Sequence, residues 1–249
     1  MKQILKSLVP RLFQPIRIAD MILRHEARHG KIISGPFAGS KYIGKSVGSV
    51  FLPKILGVYE KELHTAIYAL QAKSVASIAI IGAAEGYYVI GFSKLFPHAK
   101  IFAYESEEEG RRLLAQNCAL NNCNEKIKIE GLCDKKAFWD LLKNEAPQFI
   151  VMDIEGGEDD LLNRDILDLL KNSSMIVELH PWIAPGIKEK LIELLGGSHH
   201  CTFISSTERT FRDIPINQFL ARFFSRWLTF HVSEVRPFKM EWLLAEPLT

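Results

Sequence analysis

A parallel α/β sheet covered by helices is the fold class this chain predicts, and three observations predict it. From about residue 74 onward, short apolar or β-branched runs alternate with amphipathic stretches. The first of these runs passes through a glycine-containing turn directly into a helical pattern. The composition, 47% hydrophobic and 24% charged over 249 residues, is that of a globular protein able to bury a full core. Strands are predicted at 77–81, 100–105, 126–130, 148–153, 175–180 and near 200–205, with a last one at 240–245 lying beside the sixth. Helices are predicted at 87–96, 107–120, 135–144, 159–170 and 187–195, preceded by one at 59–72. Right-handed crossovers of this length place helices on both faces and gather functional loops at the carboxyl ends of the strands.

Two segments decorate this core: residues 1–58 read as a basic arm or lid segment ahead of a domain at 59–249, and residues 206–238 read as an irregular insertion rich in Arg and Phe. Insertions of that length often shape a substrate pocket. Net charge is +2 overall, but residues 1–54 hold ten Lys or Arg against only Asp20 and Glu26. Such an arm attracts anionic partners and suits peripheral contact with a membrane surface, yet it has no aromatic-interleaved motif and nucleic acid is not expected. No apolar run reaches the roughly 18 residues a spanning helix needs, and no secretory signal opens the chain, so a cytoplasmic location is expected. Cys118, Cys123, Cys133 and Cys201 form no C-x-x-C pair and read as reduced thiols.

The turn Gly82-Ala83-Ala84-Glu85-Gly86 lets a ligand approach the backbone and predicts unpaired amides pointing at it. Dinucleotide enzymes place G-x-G-x-x-G here to hold a pyrophosphate, and Ala84 in place of the middle glycine disfavours that class. The second predicted strand ends at Glu105, about 20 positions on, where an acid accepts hydrogen bonds from ribose hydroxyls. The same Glu105 also suits the acidic start of the following helix, together with Glu107, Glu108 and Glu109.

Taken as an ordered series, Ile81-Gly82-Ala83-Ala84-Glu85-Gly86-Tyr87-Tyr88, Ala103-Tyr104-Glu105, the stretch 117–122 and Asp153-Ile154-Glu155-Gly156-Gly157-Glu158 resemble the FkbM-like family of class I methyltransferases. The resemblance spans roughly residues 55–185. It implies a Rossmann-like, seven-stranded, mostly parallel sheet with a reversed last strand. It implies S-adenosylmethionine as cofactor, and a hydroxyl on a small-molecule or carbohydrate-like acceptor as the group methylated. By position, Gly82, Ala83, Ala84, Glu85 and Gly86 would pass under the methionine portion and Glu105 would hold the ribose. Leu132 and Cys133 would flank the adenine, Asp134 would accept from its amine, and Asp153 would face the cofactor and the reacting centre. The family carries an acid two positions before the first loop glycine, where this chain has Ile80; Glu60 is the candidate substitute. That departure keeps open an alternative, a degenerate fold that binds cofactor or a partner without catalysis.

Methyl transfer to oxygen needs the acceptor positioned and its proton removed. His180 and Asp153, ending adjacent predicted strands, are the catalytic candidates. The acids Asp153, Glu155, Glu158, Asp159 and Asp160 could together hold a hard divalent cation, although acids after Gly156-Gly157 also suit a helix start and a metal is not favoured. His25-Glu26-Ala27-Arg28-His29 spells the H-E-x-x-H zinc motif, but Gly30 should end that helix and the match reads as chance.

Overall fold

The computed structural model describes residues 15–234, 236 and 238–248, so the first 14 residues of the basic arm lie outside the described residues. Seven strands form one sheet: β1 (Ser77–Ile81), β2 (Lys100–Tyr104), β3 (Ile127–Glu130), β4 (Phe149–Met152), β5 (Ser174–Leu179), β6 (His199–Ser205) and β7 (Glu241–Pro247). Their spatial order is β3-β2-β1-β4-β5-β7-β6. Parallel pairing runs from β3 through β5, and β7 lies antiparallel between β5 and β6. The last strand therefore pairs with the sixth, as expected, and also inserts between it and the fifth.

Every residue of β4 and β5 is buried, and so is all of β1 after Ser77. A strand sandwiched between helix layers reads as a continuous apolar run rather than an alternating one, which is what residues 78–81, 149–152 and 175–177 show. One helix layer contributes Phe138, Leu141, Leu142, Leu191 and Leu195 to a core with Ala79, Ile150, Met152 and Val177 of the sheet. Ile78 pairs with Ile101 of β2 on one side and Phe149 of β4 on the other. The strand order thus reverses at β1, and the crevice beyond the carboxyl ends of β1 and β4 is the topological switch point where open α/β sheets bind ligands.

The crossover helices Tyr87–Leu95, Glu108–Leu120, Lys135–Glu145 and Ile187–Leu195 follow the predicted alternation. Two predicted helices are corrected. The stretch 159–170 is broken into Glu158–Leu161, a 3-10 turn Arg164–Ile166 and Leu167–Leu170. Asn163 causes the break: its side chain accepts from Asp165 N–H at 2.9 Å, competing with helical pairing. The predicted 59–72 helix is shortened to His64–Gln71, because Glu60 takes a left-handed backbone (φ 45°) and Lys61–Leu63 forms a 3-10 turn.

Two compact units divide the chain, Met1–Lys61 with Glu208–Val235 and Glu62–Thr207 with Arg236–Thr249. The sheet belongs to the second. In the first, the segment expected to be irregular contains helices Gln218–Phe223 and Ser225–Val232, and the latter packs against helix Pro15–Ala27. Buried Arg209 ties this unit together, donating to the Val58 carbonyl at 2.8 Å and pairing with Glu234 at 3.0 Å. The helix bearing His25 ends at Ala27 and Gly30 is left-handed (φ 59°), so His29 lies beyond the helix and the H-E-x-x-H spacing does not place two histidines on one helical face. Among the described residues, no helix is long and apolar enough to cross a membrane.

Candidate functional site

The turn after β1 is shaped by close backbone packing. Gly82 (φ 85°) and Gly86 (φ 92°) take conformations L side chains rarely adopt. A Cβ on Gly82 would lie 1.7 Å from the Asp153 carbonyl oxygen, and one on Gly86 would lie 2.3 Å from the Leu114 side chain. The expected row of unpaired amides is corrected. Gly82 and Ala83 N–H both donate to the Tyr104 carbonyl (2.9 and 2.8 Å), Gly86 N–H donates to Ala83, and Ala84 N–H donates to the Glu105 carboxylate at 2.7 Å. Amides committed to protein acceptors cannot cradle a pyrophosphate, which agrees with Ala84 replacing the phosphate-binding glycine. Glu85 is fully buried, and its carbonyl accepts from the Asn117 side chain at 2.7 Å, anchoring the turn to helix Glu108–Leu120.

Glu105 follows β2 directly and reaches back to this turn. Its Oε2 accepts from Ala84 N–H and its Oε1 from Glu107 N–H at 2.8 Å. Arg111 donates to the Glu105 carbonyl at 2.8 Å. Gly110 leaves space for the side chain, since a Cβ there would meet Glu105 Cγ at 2.8 Å. A carboxylate offers about four lone-pair sites, and two are used here. Half-buried and pinned, Glu105 keeps acceptor capacity suited to a vicinal diol. Asn117 enters the sequence reading only as the start of the 117–122 stretch and Gly110 not at all, because an Asn and a Gly in an otherwise regular helix carry no periodic signal.

After β3, Leu132 is exposed and Cys133 is buried against Phe138 and its neighbours. Burial foremost, then the charge of Asp134, pushes the Cys133 thiol up to about 12, so it is a neutral apolar group. Asp134 caps the following helix, its Oδ1 accepting from Ala137 N–H at 2.8 Å. Glu60 lies in the other unit, where its N–H donates to Glu234 at 3.1 Å.

Beyond β4 and β5 the sheet edge carries an acidic and histidine cluster. His180 is 1% exposed, and its Nδ1 lies 2.9 Å from Glu158 Oε1, which also accepts from Ile154 and Gly156 N–H at 3.3 and 3.4 Å. Glu158 is not the solvated acid its place at a helix start suggests; it is completely buried. The other ring nitrogen, Nε2, faces Asp153 Oδ1 and Glu155 Oε2 at 3.6 Å each. Burial lowers the affinity of His180 for a proton, but the Glu158 hydrogen bond and the charges of Glu158, Glu178 and Glu155 outweigh it and hold the pKa above its usual value. Asp159 and Asp160 are drawn off to Lys190 and Lys135. Beside His180 stands an aromatic wall: Trp182 meets its ring edge-on (5.2 Å) and stacks on Phe238 (4.9 Å). Both aromatics are exposed, 39% and 54%.

The turn after β1, Glu105, Asp153 and His180 thus border one rim of the sheet. Neither a family model nor a curated protein matches the chain. Among solved structures it is similar to the METTL16 methyltransferase domain (TM-score 0.52, 16% identity, 96% of this chain and 82% of that one). It is also similar to the human methyltransferase 10 domain containing protein (TM-score 0.51, 14% identity, 95% and 98% covered). An O-methyltransferase from Bacillus cereus, crystallised with S-adenosylhomocysteine, aligns at TM-score 0.50 and 12% identity over 98% and 96% of the two chains. The chain has the class I methyltransferase fold. At these identities the likeness concerns the fold, whose seven-stranded order with a reversed last strand agrees with the architecture expected from the FkbM-like resemblance.

Proposed function

We propose that the chain is an S-adenosylmethionine-dependent methyltransferase acting on a hydroxyl of a small-molecule or carbohydrate-like acceptor. The observation that carries this reading is the Glu105 carboxylate, held at the topological switch point beside a turn in which the amides of Gly82, Ala83, Ala84 and Gly86 are already paired. That combination favours a nucleoside ligand with ribose hydroxyls to donate and no phosphate to bind. Bound there, the cofactor supplies a methyl carbon activated by its sulfonium. Glu105 holds the ribose, residues 82–86 run beneath the methionine portion, Leu132 and Cys133 flank the adenine, and Asp134 lies near its amine. Ile80, buried in β1, offers no polar side chain to the cofactor's amino end.

Asp153 and His180 form the acceptor edge, with His180 Nε2 positioned to take the hydroxyl proton. Trp182 and Phe238 supply the flat apolar surface on which a sugar or another ring rests. Ile80 favours a second reading, a cofactor-binding or interaction module without catalysis, and turnover assays on hydroxylated acceptors separate the two.

The direct test is thermal unfolding with S-adenosylhomocysteine, with NAD as control. At 100 times its dissociation constant the ligand adds about 2.7 kcal/mol, a rise of roughly 5–10 °C for a chain of this size. No rise, or an equal one with NAD, overturns the cofactor assignment. Glu105→Ala should then weaken S-adenosylhomocysteine by about 1.5–3 kcal/mol in calorimetry, the range for hydrogen bonds to a charged group. Unchanged affinity would remove Glu105 from the site.

A further inference from the structure

We propose that Asp153, Glu155 and His180 form a binding site for one first-row divalent transition-metal ion, with Mn2+ the best-suited probe. The three ligand atoms, Asp153 Oδ1, Glu155 Oε2 and His180 Nε2, lie within 4.8 Å of one another. Nε2 belongs to a side chain 1% exposed, yet among the described residues it makes no hydrogen bond; it points between two carboxylates at 3.6 Å. That spacing is too long for hydrogen bonding. It is close to the separation of two ligands sharing an ion, since bonds of about 2.1 Å at octahedral or tetrahedral angles put ligand atoms roughly 3.0–3.4 Å apart.

Support behind the ligand follows the pattern of metal-bound histidines. The ring nitrogen not facing the carboxylates is held at 2.9 Å by Glu158, a buried carboxylate that itself accepts two backbone N–H groups. A carboxylate on Nδ1 fixes the tautomer that leaves the Nε2 lone pair for a metal. Of the five acids noted in this region, Asp159 and Asp160 pair with lysines and Glu158 with His180 Nδ1, and it is the carboxylates of Asp153 and Glu155 that face Nε2. Imidazole disfavours Mg2+ and Ca2+ relative to transition metals, while two carboxylates favour a harder ion than Cu2+; Mn2+ meets both conditions.

The geometry alone carries the site, and its catalytic role rests on the methyltransferase reading. With the ion bound, Nε2 is a ligand and an acceptor hydroxyl fills an open position. The ion would acidify that hydroxyl, whose proton would pass to water as its oxygen bonds to the methyl carbon, the C–S bond breaking with its electron pair kept by sulfur.

Chelator-stripped protein titrated with Mn2+, followed by loss of the free-ion electron paramagnetic resonance signal, should bind one ion per chain. His180→Ala and Glu155→Gln should each weaken binding about 10- to 100-fold, the usual range for losing a metal-site group. Glu155 is 79% exposed, so its variant remains folded and informative even if His180→Ala does not. Asp160→Asn, whose partner is Lys135, should bind as the parent does. Absence of Mn2+ binding, or binding that Glu155→Gln leaves unchanged, overturns the proposal. The S-adenosylhomocysteine thermal shift, measured in the presence of chelator, responds to the cofactor reading alone, so the two can fail separately.

Discussion

Gly82→Ala is expected to lower the melting temperature by roughly 6–12 °C, the equivalent of about 3 kcal/mol in a chain of this size. Two costs combine. The residue sits at φ 85°, where an L side chain is strained, and its Cβ would stand 1.7 Å from the Asp153 carbonyl oxygen. That oxygen belongs to backbone, so no rotamer change relieves the contact; the ends of β1 and β4 must separate. Asp153 would move with them, and cofactor affinity should fall alongside stability. Gly197→Ala is the control, because a Cβ there meets nothing within 4 Å. Scanning calorimetry on both variants checks the expectation, and a Gly82→Ala melting temperature equal to the parent's would mean the turn does not pack as described.

The sheet was legible because burial on two faces leaves its mark in composition. Segments such as residues 78–81 and 149–152 carry unbroken apolar character, and the helices between the strands keep their period. Position within the sheet was harder to read: β7 inserting between β5 and β6 depends on pairing partners far apart in sequence. The helix expected at 159–170 kept a plausible apolar period through Asn163, and only the local bond from its side chain to Asp165 N–H decides that the helix breaks. Helices Gln218–Phe223 and Ser225–Val232 escaped notice because six and eight residues are too few to establish a period among so many aromatics and arginines.

At the candidate site, residues that end strands were legible and residues that support them were not. Glu105, Asp153 and His180 each follow an apolar run directly, a position visible in sequence. Glu158 looked like an acid serving a helix dipole, and its burial under His180 comes from a partner 22 positions away. The amides of the turn after β1 were expected to wait for a ligand, yet the Tyr104 carbonyl and Glu105 take them first. Backbone pairing across neighbouring strand ends is long-range geometry that local spacing does not reveal.

His180→Ala should lower turnover by about a hundredfold or more while leaving S-adenosylhomocysteine affinity within about twofold, the effect expected of a group that handles the acceptor's proton. The expected split arises from where its nitrogens point. Nδ1 is spent on Glu158 and Nε2 faces the Asp153 and Glu155 carboxylates, whereas among the described residues the contacts of the Gly82–Gly86 turn run to Tyr104, Glu105, Asn117, Leu114 and the backbone of Asp153, with none to the His180 ring. Removing the ring therefore disturbs the acceptor edge and spares the cofactor edge. The loss is expected whether Nε2 takes the proton itself or holds the ion that acidifies the hydroxyl, and added Mn2+ distinguishes the cases: turnover of the parent rises with the ion only in the second. Equal loss of cofactor affinity and turnover would mean that the two edges are one site sharing His180. A normal rate in His180→Ala would transfer proton removal to Asp153 or to water.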